Sequence, residues 1–259
     1  MIDFDYIKGS KKVVFFLHGW GGDKNSFSMV KNHITVDCSM VFVSFSGFGL
    51  SPQPHRAFYV DDYVEELMDL VLNLNIKSKI TFVCHSFGAR VAIKFFNKYP
   101  DFVESLFIVD GAGIKPRRGL KYYTKINKYK RIKKQVLKGK KDKKELDKYG
   151  SADYKSLSGV MRQTLINVVN EDLKKYIKNI NVDTLLFWGK NDKDTPLYMA
   201  KKMKKWIRKS ELILVKNAAH FSYLDNYAFF IRVLNAFLYN WYEELLNWVD
   251  FYIQFIIKY

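Results

Sequence analysis

The stretch Phe82-Val83-Cys84-His85-Ser86-Phe87-Gly88-Ala89 holds the most informative residue of the chain. An apolar run ends, a serine follows at once, and a helical pattern begins. A serine on so tight a strand-to-helix turn has a strained backbone and needs small residues two positions before and after it. Gly88 meets that demand, and Cys84 stands where the nucleophile-elbow pattern Gly-x-Ser-x-Gly has its first glycine. The plainer reading is a serine that caps a helix N-terminus. The chemical reading is a hydroxyl exposed for attack on a carbonyl carbon, provided a base takes its proton.

Such a base needs a group to orient it. Five histidines are available, His18, His33, His55, His85 and His220. His220, in Asn217-Ala218-Ala219-His220-Phe221, directly follows the last apolar run and is the expected base. His85 adjoins Ser86, but the turn should aim its ring away from the hydroxyl. His18 reads as a loop-packing residue with substrate contact as a second role, and His33 and His55 lack a strand-end setting. The acid is expected between serine and histidine in chain order. Trp188-Gly189-Lys190-Asn191-Asp192-Lys193-Asp194-Thr195-Pro196 supplies it. Asp192 is the choice; Asp194 is the near rival, more simply a cap for a helix starting at Thr195-Pro196, and Asp110 is a third strand-end candidate. In Phe16-Leu17-His18-Gly19-Trp20-Gly21-Gly22 the glycines let the chain turn sharply and present amides. The N–H groups of Trp20 and Phe87 are the expected oxyanion donors. Metal-ligand spacing is absent and the expected chemistry requires neither a metal nor a cofactor.

These groups must be carried by a sheet. Val13–Leu17, Met40–Phe45, Ile80–Cys84, Leu106–Val109, Thr184–Trp188 and Leu212–Val215 are continuous apolar runs, the pattern of strands covered on both faces. Helical periodicity fills the gaps at Asp61–Leu74, Phe87–Tyr99, Pro196–Ile207 and Tyr223–Phe237. The alternation predicts an α/β architecture with a doubly wound, mostly parallel sheet. Between Asp110 and Val182 no strong strand signal occurs, and the segment reads as a helical cap over the carboxyl edge of the sheet.

The motifs resemble the α/β-hydrolase superfamily in its compact, capped, carboxylesterase-like branch of serine hydrolases, over roughly residues 10 to 240. The resemblance rests on His18-Gly19-Trp20-Gly21, the Ser86 elbow, Gly189-x-x-Asp192-x-x-x-Pro196 and His220. A further family element, Asp-x-Pro-Gly-x-Gly-x-Ser, appears as Ser44-Phe45-Ser46-Gly47-Phe48-Gly49-Leu50-Ser51, with its Asp and Pro both replaced by serine. The resemblance implies the α/β-hydrolase fold with a helical cap inserted after the sixth strand. The core is then expected at 1–111 and 181–240, the cap at 112–180. It also implies two-step acyl transfer: Ser86 attacks, His220 accepts the proton, Asp192 holds the imidazole, and water releases the acid. Small or medium carboxylic esters are the expected substrates, as in small bacterial carboxylesterases, including the type that removes a methyl ester in biotin synthesis. Thioesters, lactones, amides and carbon–carbon bonds share this machinery, and a ligand-binding or membrane-associated protein on the same fold is the competing class. Arg90, four residues after Ser86, reads either as a contact for a substrate carboxylate or as a brace paired with a nearby acid. A menaquinone-pathway synthase of the superfamily has an arginine at the matching place.

The chain has 259 residues with 48% hydrophobic and 17% aromatic content, which excludes a disordered protein. Its formal charge of +17 is uneven: residues 115–148 hold 16 Lys/Arg against 3 Asp/Glu. A near-neutral globule with one basic segment is not a nucleic-acid footprint. A solvated cap surface is the favoured reading, ahead of a membrane-surface contact. Two cysteines, Cys38 and Cys84, make no disulfide framework. The first residues do not resemble a signal peptide and no run is long and apolar enough to cross a bilayer, so a cytoplasmic setting is expected. Residues 241–259 read as an amphipathic aromatic C-terminal helix, suited to protein contact and possible self-association.

Overall fold

A computed structural model describes residues 1–117, 119–146, 148–150 and 152–239. In chain order the strands and helices are β1 (Asp3–Ile7), β2 (Val13–Leu17), β3 (Ser39–Ser44), α1 (Val60–Asn73), β4 (Ile80–His85), α2 (Phe87–Lys98), β5 (Val103–Val109), α3 (Leu120–Leu137), α4 (Ala152–Ser156), α5 (Gly159–Asn170), α6 (Lys174–Asn179), β6 (Asp183–Gly189), α7 (Leu197–Trp206), β7 (Ser210–Val215), α8 (Ser222–Asp225) and α9 (Tyr227–Leu238). Seven strands form one sheet in the order β1-β3-β2-β4-β5-β6-β7. All neighbours are parallel except the edge strand β1, which runs antiparallel to β3. Every residue of β2, β3 and β4 is buried, because helices cover both faces.

One face packs against α1 and α2. The α1 positions Val60, Tyr63, Val64, Leu67, Leu70 and Val71 repeat at three- and four-residue steps and are all buried. Each such side chain contributes roughly 1.5–3 kcal/mol of gross burial energy. The other face packs against α9, where Phe230, Val233 and Leu234 meet Phe16, Phe107 and Phe187. The register aligns Leu17, Cys84 and Ile108 across β2, β4 and β5. The loops that leave these strands therefore emerge together at one edge.

The helical insertion lies between β5 and β6, so it follows the fifth strand and not the sixth. Only four strands precede β5. Strand β1 was not among the expected strands. Its sequence, Asp-Phe-Asp-Tyr-Ile, is half exposed at the sheet edge and has no continuous apolar run. The helix expected over Tyr223–Phe237 is broken into α8 and α9 at Asn226, whose backbone sits at φ −137° and ψ 66°. The C-terminal helix expected at 241–259 lies outside the described residues.

Candidate active site

Strand β4 ends in the sheet centre, and Ser86 follows it with φ 45° and ψ −104°. A non-glycine residue there costs about 1–3 kcal/mol and persists only where its surroundings over-determine it. They do so here: the Ser86 N–H donates to the Val109 carbonyl at 3.1 Å, and the Ser86 carbonyl accepts from Ala89 and Ala112 at 3.1 and 3.0 Å. Gly88 is required by packing, since a Cβ there would lie 2.4 Å from the Leu17 carbonyl oxygen. Cys84, in the usual glycine position, is fully buried, with its Sγ 3.6 Å from the Phe107 carbonyl. Burial pushes its thiol pKa up, so the thiol stays neutral.

The expected base and acid arrive on two loops that Gly189 allows to touch. A Cβ on Gly189 would sit 2.0 Å from the Ala219 carbonyl oxygen. The Lys190 and Asn191 amides donate to Val215 and Ala218 at 3.0 and 2.9 Å, lacing the loops together. His220 is thereby held with Nε2 2.9 Å from Ser86 Oγ and Nδ1 2.9 Å from Asp192 Oδ2. Asp192 Oδ1 accepts from the Asp194 and Thr195 amides at 2.8 and 2.9 Å, and Oδ2 also accepts from the Thr195 hydroxyl at 2.6 Å. Burial works to raise the Asp192 pKa, but the hydrogen bonds from His220 and Thr195 outweigh it and hold the carboxyl below its ordinary value. For His220 burial works downward, and the bond to Asp192 outweighs it, leaving the imidazole pKa above its ordinary value.

Gly19 to Gly22 form a turn closed by a 3.0 Å bond from the Gly22 amide to the Gly19 carbonyl. Gly21, at φ 80°, fills the position of a type II turn that demands positive φ. Trp20 precedes it with its ring edge-on to Phe48 and Phe87. Phe87 is the first residue of α2, so its amide has no acceptor within the helix. Among the described residues neither the Trp20 nor the Phe87 amide donates to another protein group. Both residues line the same cavity as Ser86 and His220, of about 450 Å³. Leu165 and Val168 of α5 also line it.

The remaining candidates separate clearly. His18 is buried and absent from the cavity wall: its Nδ1 donates to the Gly19 carbonyl at 2.7 Å and its Nε2 accepts from the Phe45 amide at 3.1 Å. Burial lowers its pKa to about 4. Both nitrogens are thus used by the backbone, which removes His18 as a substrate contact and leaves it packing the loop. His85 also lines the cavity, and its Nε2 donates to the His220 carbonyl at 2.7 Å rather than to the Ser86 hydroxyl. Burial drives its pKa down to about 3, so it is neutral. Asp194 is exposed and caps no helix: α7 starts at Leu197 and has no side-chain cap bond. Asp110 does not reach His220. Its Oδ1 accepts from the Gly189 amide at 2.8 Å and its Oδ2 from the Ser222 amide and hydroxyl at 3.0 and 2.6 Å. It thus joins both loops, and burial raises its pKa to about 7. Arg90 lies in the cavity wall and donates through Nη1 to the Glu171 carbonyl at 2.9 Å, so its brace is a backbone oxygen rather than an acid. Burial lowers its pKa to about 10, which leaves it charged at neutrality.

Sequence reasoning missed Thr195, whose hydroxyl supports Asp192, because a threonine before proline reads as a helix start. It also missed the loop-fastening parts of Asp110 and His85; the strand-end position of Asp110 was the available signal. One group of potential metal ligands occurs among the described residues, Asp192, Asp194 and His220, with donor atoms within 4.8 Å of one another. Asp192 Oδ2 and His220 Nδ1 are already bonded to each other.

Comparisons with known proteins agree with this fold. A family model described as alpha/beta hydrolase fold matches residues 12–138. The AB hydrolase superfamily protein YisY of Bacillus subtilis is 23% identical over 237 residues, covering 84% of this chain and 88% of that protein. An esterase from Exiguobacterium antarcticum superposes with a TM-score of 0.69 at 23% identity, over 96% of this chain and 95% of the other. A thermophilic esterase from Thermogutta terrifontis gives 0.71 at 17% identity, over 92% and 93%. The chain has the α/β-hydrolase fold.

Proposed function

We propose that this protein is a serine hydrolase of small or medium carboxylic esters. The observation that carries the reading is the unbroken chain Ser86 Oγ, His220, Asp192, with both links at 2.9 Å, facing a cavity that also holds two unpaired amides. His220 accepts the Ser86 proton as the hydroxyl attacks the ester carbonyl. Asp192 keeps the Nδ1–H tautomer and stabilises the imidazolium that forms. The Trp20 and Phe87 amides receive the charge that develops on the carbonyl oxygen, and the positive end of α2 adds to them. The alcohol leaves with the proton from His220. Water then attacks the acyl-enzyme by the same route and frees the acid. One oxyanion donor is worth about 3–4 kcal/mol of barrier.

The cavity volume of about 450 Å³ suits a small or medium substrate. Its wall is apolar apart from the catalytic groups, His85, Arg90, Asp194 and Thr195. Arg90, one helical turn beyond Ser86, is the cationic group of that wall and supports a preference for esters whose acyl part ends in a carboxylate. The test is a panel of p-nitrophenyl esters of increasing acyl length, with a dicarboxylic half-ester included. Turnover by the wild type and its loss in Ser86→Ala support the reading. A folded wild type that cleaves no member of the panel contradicts it.

A further inference from the structure

Helix α3 carries seven Lys/Arg and no acid over its 18 residues. It begins four residues after Pro116, which lines the catalytic cavity. At 100° per residue its positions sort into two faces. Ile132, which is buried, and the half-buried Tyr129 and Val136 share one stripe and turn inward. Opposite them, within an arc of about 120°, lie Lys130, Arg131 and Lys134 together with three apolar side chains. Those three are Leu120, Tyr123 and Leu137, exposed at 86%, 54% and 79%. Among the described residues no basic side chain of α3 is in an ion pair with an acid.

We infer that the outer face of α3 docks the protein on an anionic phospholipid surface. Two features select this occupant. The uncompensated positive charge complements a negatively charged plane, and mainly lysine side chains suit diffuse lipid charge better than forked contacts to individual phosphates. The exposed leucines and tyrosine then have a use, since they reach past the headgroups while the lysine stems keep their ammonium groups at the interface. A nucleic-acid backbone would offer the leucines nothing. Only three residues separate α3 from Pro116 in the cavity wall. The inference concerns binding alone and stands whether or not the site cleaves esters.

The experiment is co-sedimentation of the full chain with vesicles of phosphatidylcholine containing about 30% phosphatidylglycerol, and with pure phosphatidylcholine vesicles. The expected result is binding to the anionic vesicles only, abolished at about 0.5 M salt. The triple variant Lys130→Glu/Arg131→Glu/Lys134→Glu should lose affinity by about tenfold or more. An equal charge change elsewhere, Lys201→Glu/Lys205→Glu/Lys209→Glu, should keep it within about threefold of wild type, because attraction to the surface falls off within a Debye length. Leu120→Ser/Leu137→Ser keeps the charge and should also weaken binding, which guards against a misfolded triple variant. Failure of the wild type to bind, equal losses in both charge variants, or no effect of the leucine pair overturns the inference. So does tight binding of poly(U) RNA in a gel shift without any vesicle binding.

Discussion

The carboxyl edge of the sheet and the outer face of α3 are built on opposite terms. At the edge, polar groups are buried and partnered: Asp192 accepts four hydrogen bonds and Asp110 three. Along α3 the side chains of Lys125, Lys128, Lys130, Arg131, Lys133 and Lys134 are exposed and are in no ion pair with an acid among the described residues. The contrast teaches where each kind of change will be felt. Altering the edge leaves a buried group unpaired or a backbone displaced. Altering α3 removes only charge that solvent already screens.

The largest effect is expected from the edge itself. Ser86→Ala should lower kcat for a p-nitrophenyl ester by about 10⁶-fold with little change in melting temperature. Asp192→Asn should lower it by about 10⁴-fold, because the amide favours the wrong imidazole tautomer. Gly189→Ala should cost about 2–4 kcal/mol in denaturant unfolding, since its Cβ has no room beside the Ala219 carbonyl. The pH profile gives a subtler reading. His220 must be neutral to act as base, and its pKa is raised above 6.5, so kcat/KM should climb with pH through a midpoint above that value. Asp192→Asn should move the midpoint down. The same raised pKa stabilises the fold fully below 6.5, and that contribution is lost as pH rises through the folded-state value. The smallest effect belongs to α3: the Lys130, Arg131 and Lys134 charge reversals should each change unfolding free energy by no more than about 0.5 kcal/mol. A large loss there would erase the contrast between the two regions.

The same difference decides what could be read from sequence. The interior strands were legible because burial on both faces writes continuous apolar runs such as Val13–Leu17 and Ile80–Cys84. Strand β1 was not, because an exposed edge strand writes no such run. Ser86, His220 and Asp192 stood out because each lies where a strand ends, and glycines marked the close approaches that bring them together. Their supports were harder to see. Thr195 joins Asp192 through a three-residue turn, and His85 joins His220 across 135 positions of chain, contacts that no periodicity encodes. His18 shows the converse: it sits in the most telling loop, yet the backbone takes both its nitrogens. In the insertion, the basic composition was obvious, but the sorting of α3 into a buried and an outer face required the packed helix.

The most direct trial of the central claim is mass spectrometry of the protein after exposure to a fluorophosphonate. The account predicts a single covalent adduct that peptide mapping assigns to Ser86, absent from Ser86→Ala and slowed by loss of the His220 imidazole. A folded wild type that stays unmodified, or an adduct on another residue that survives Ser86→Ala, would contradict it.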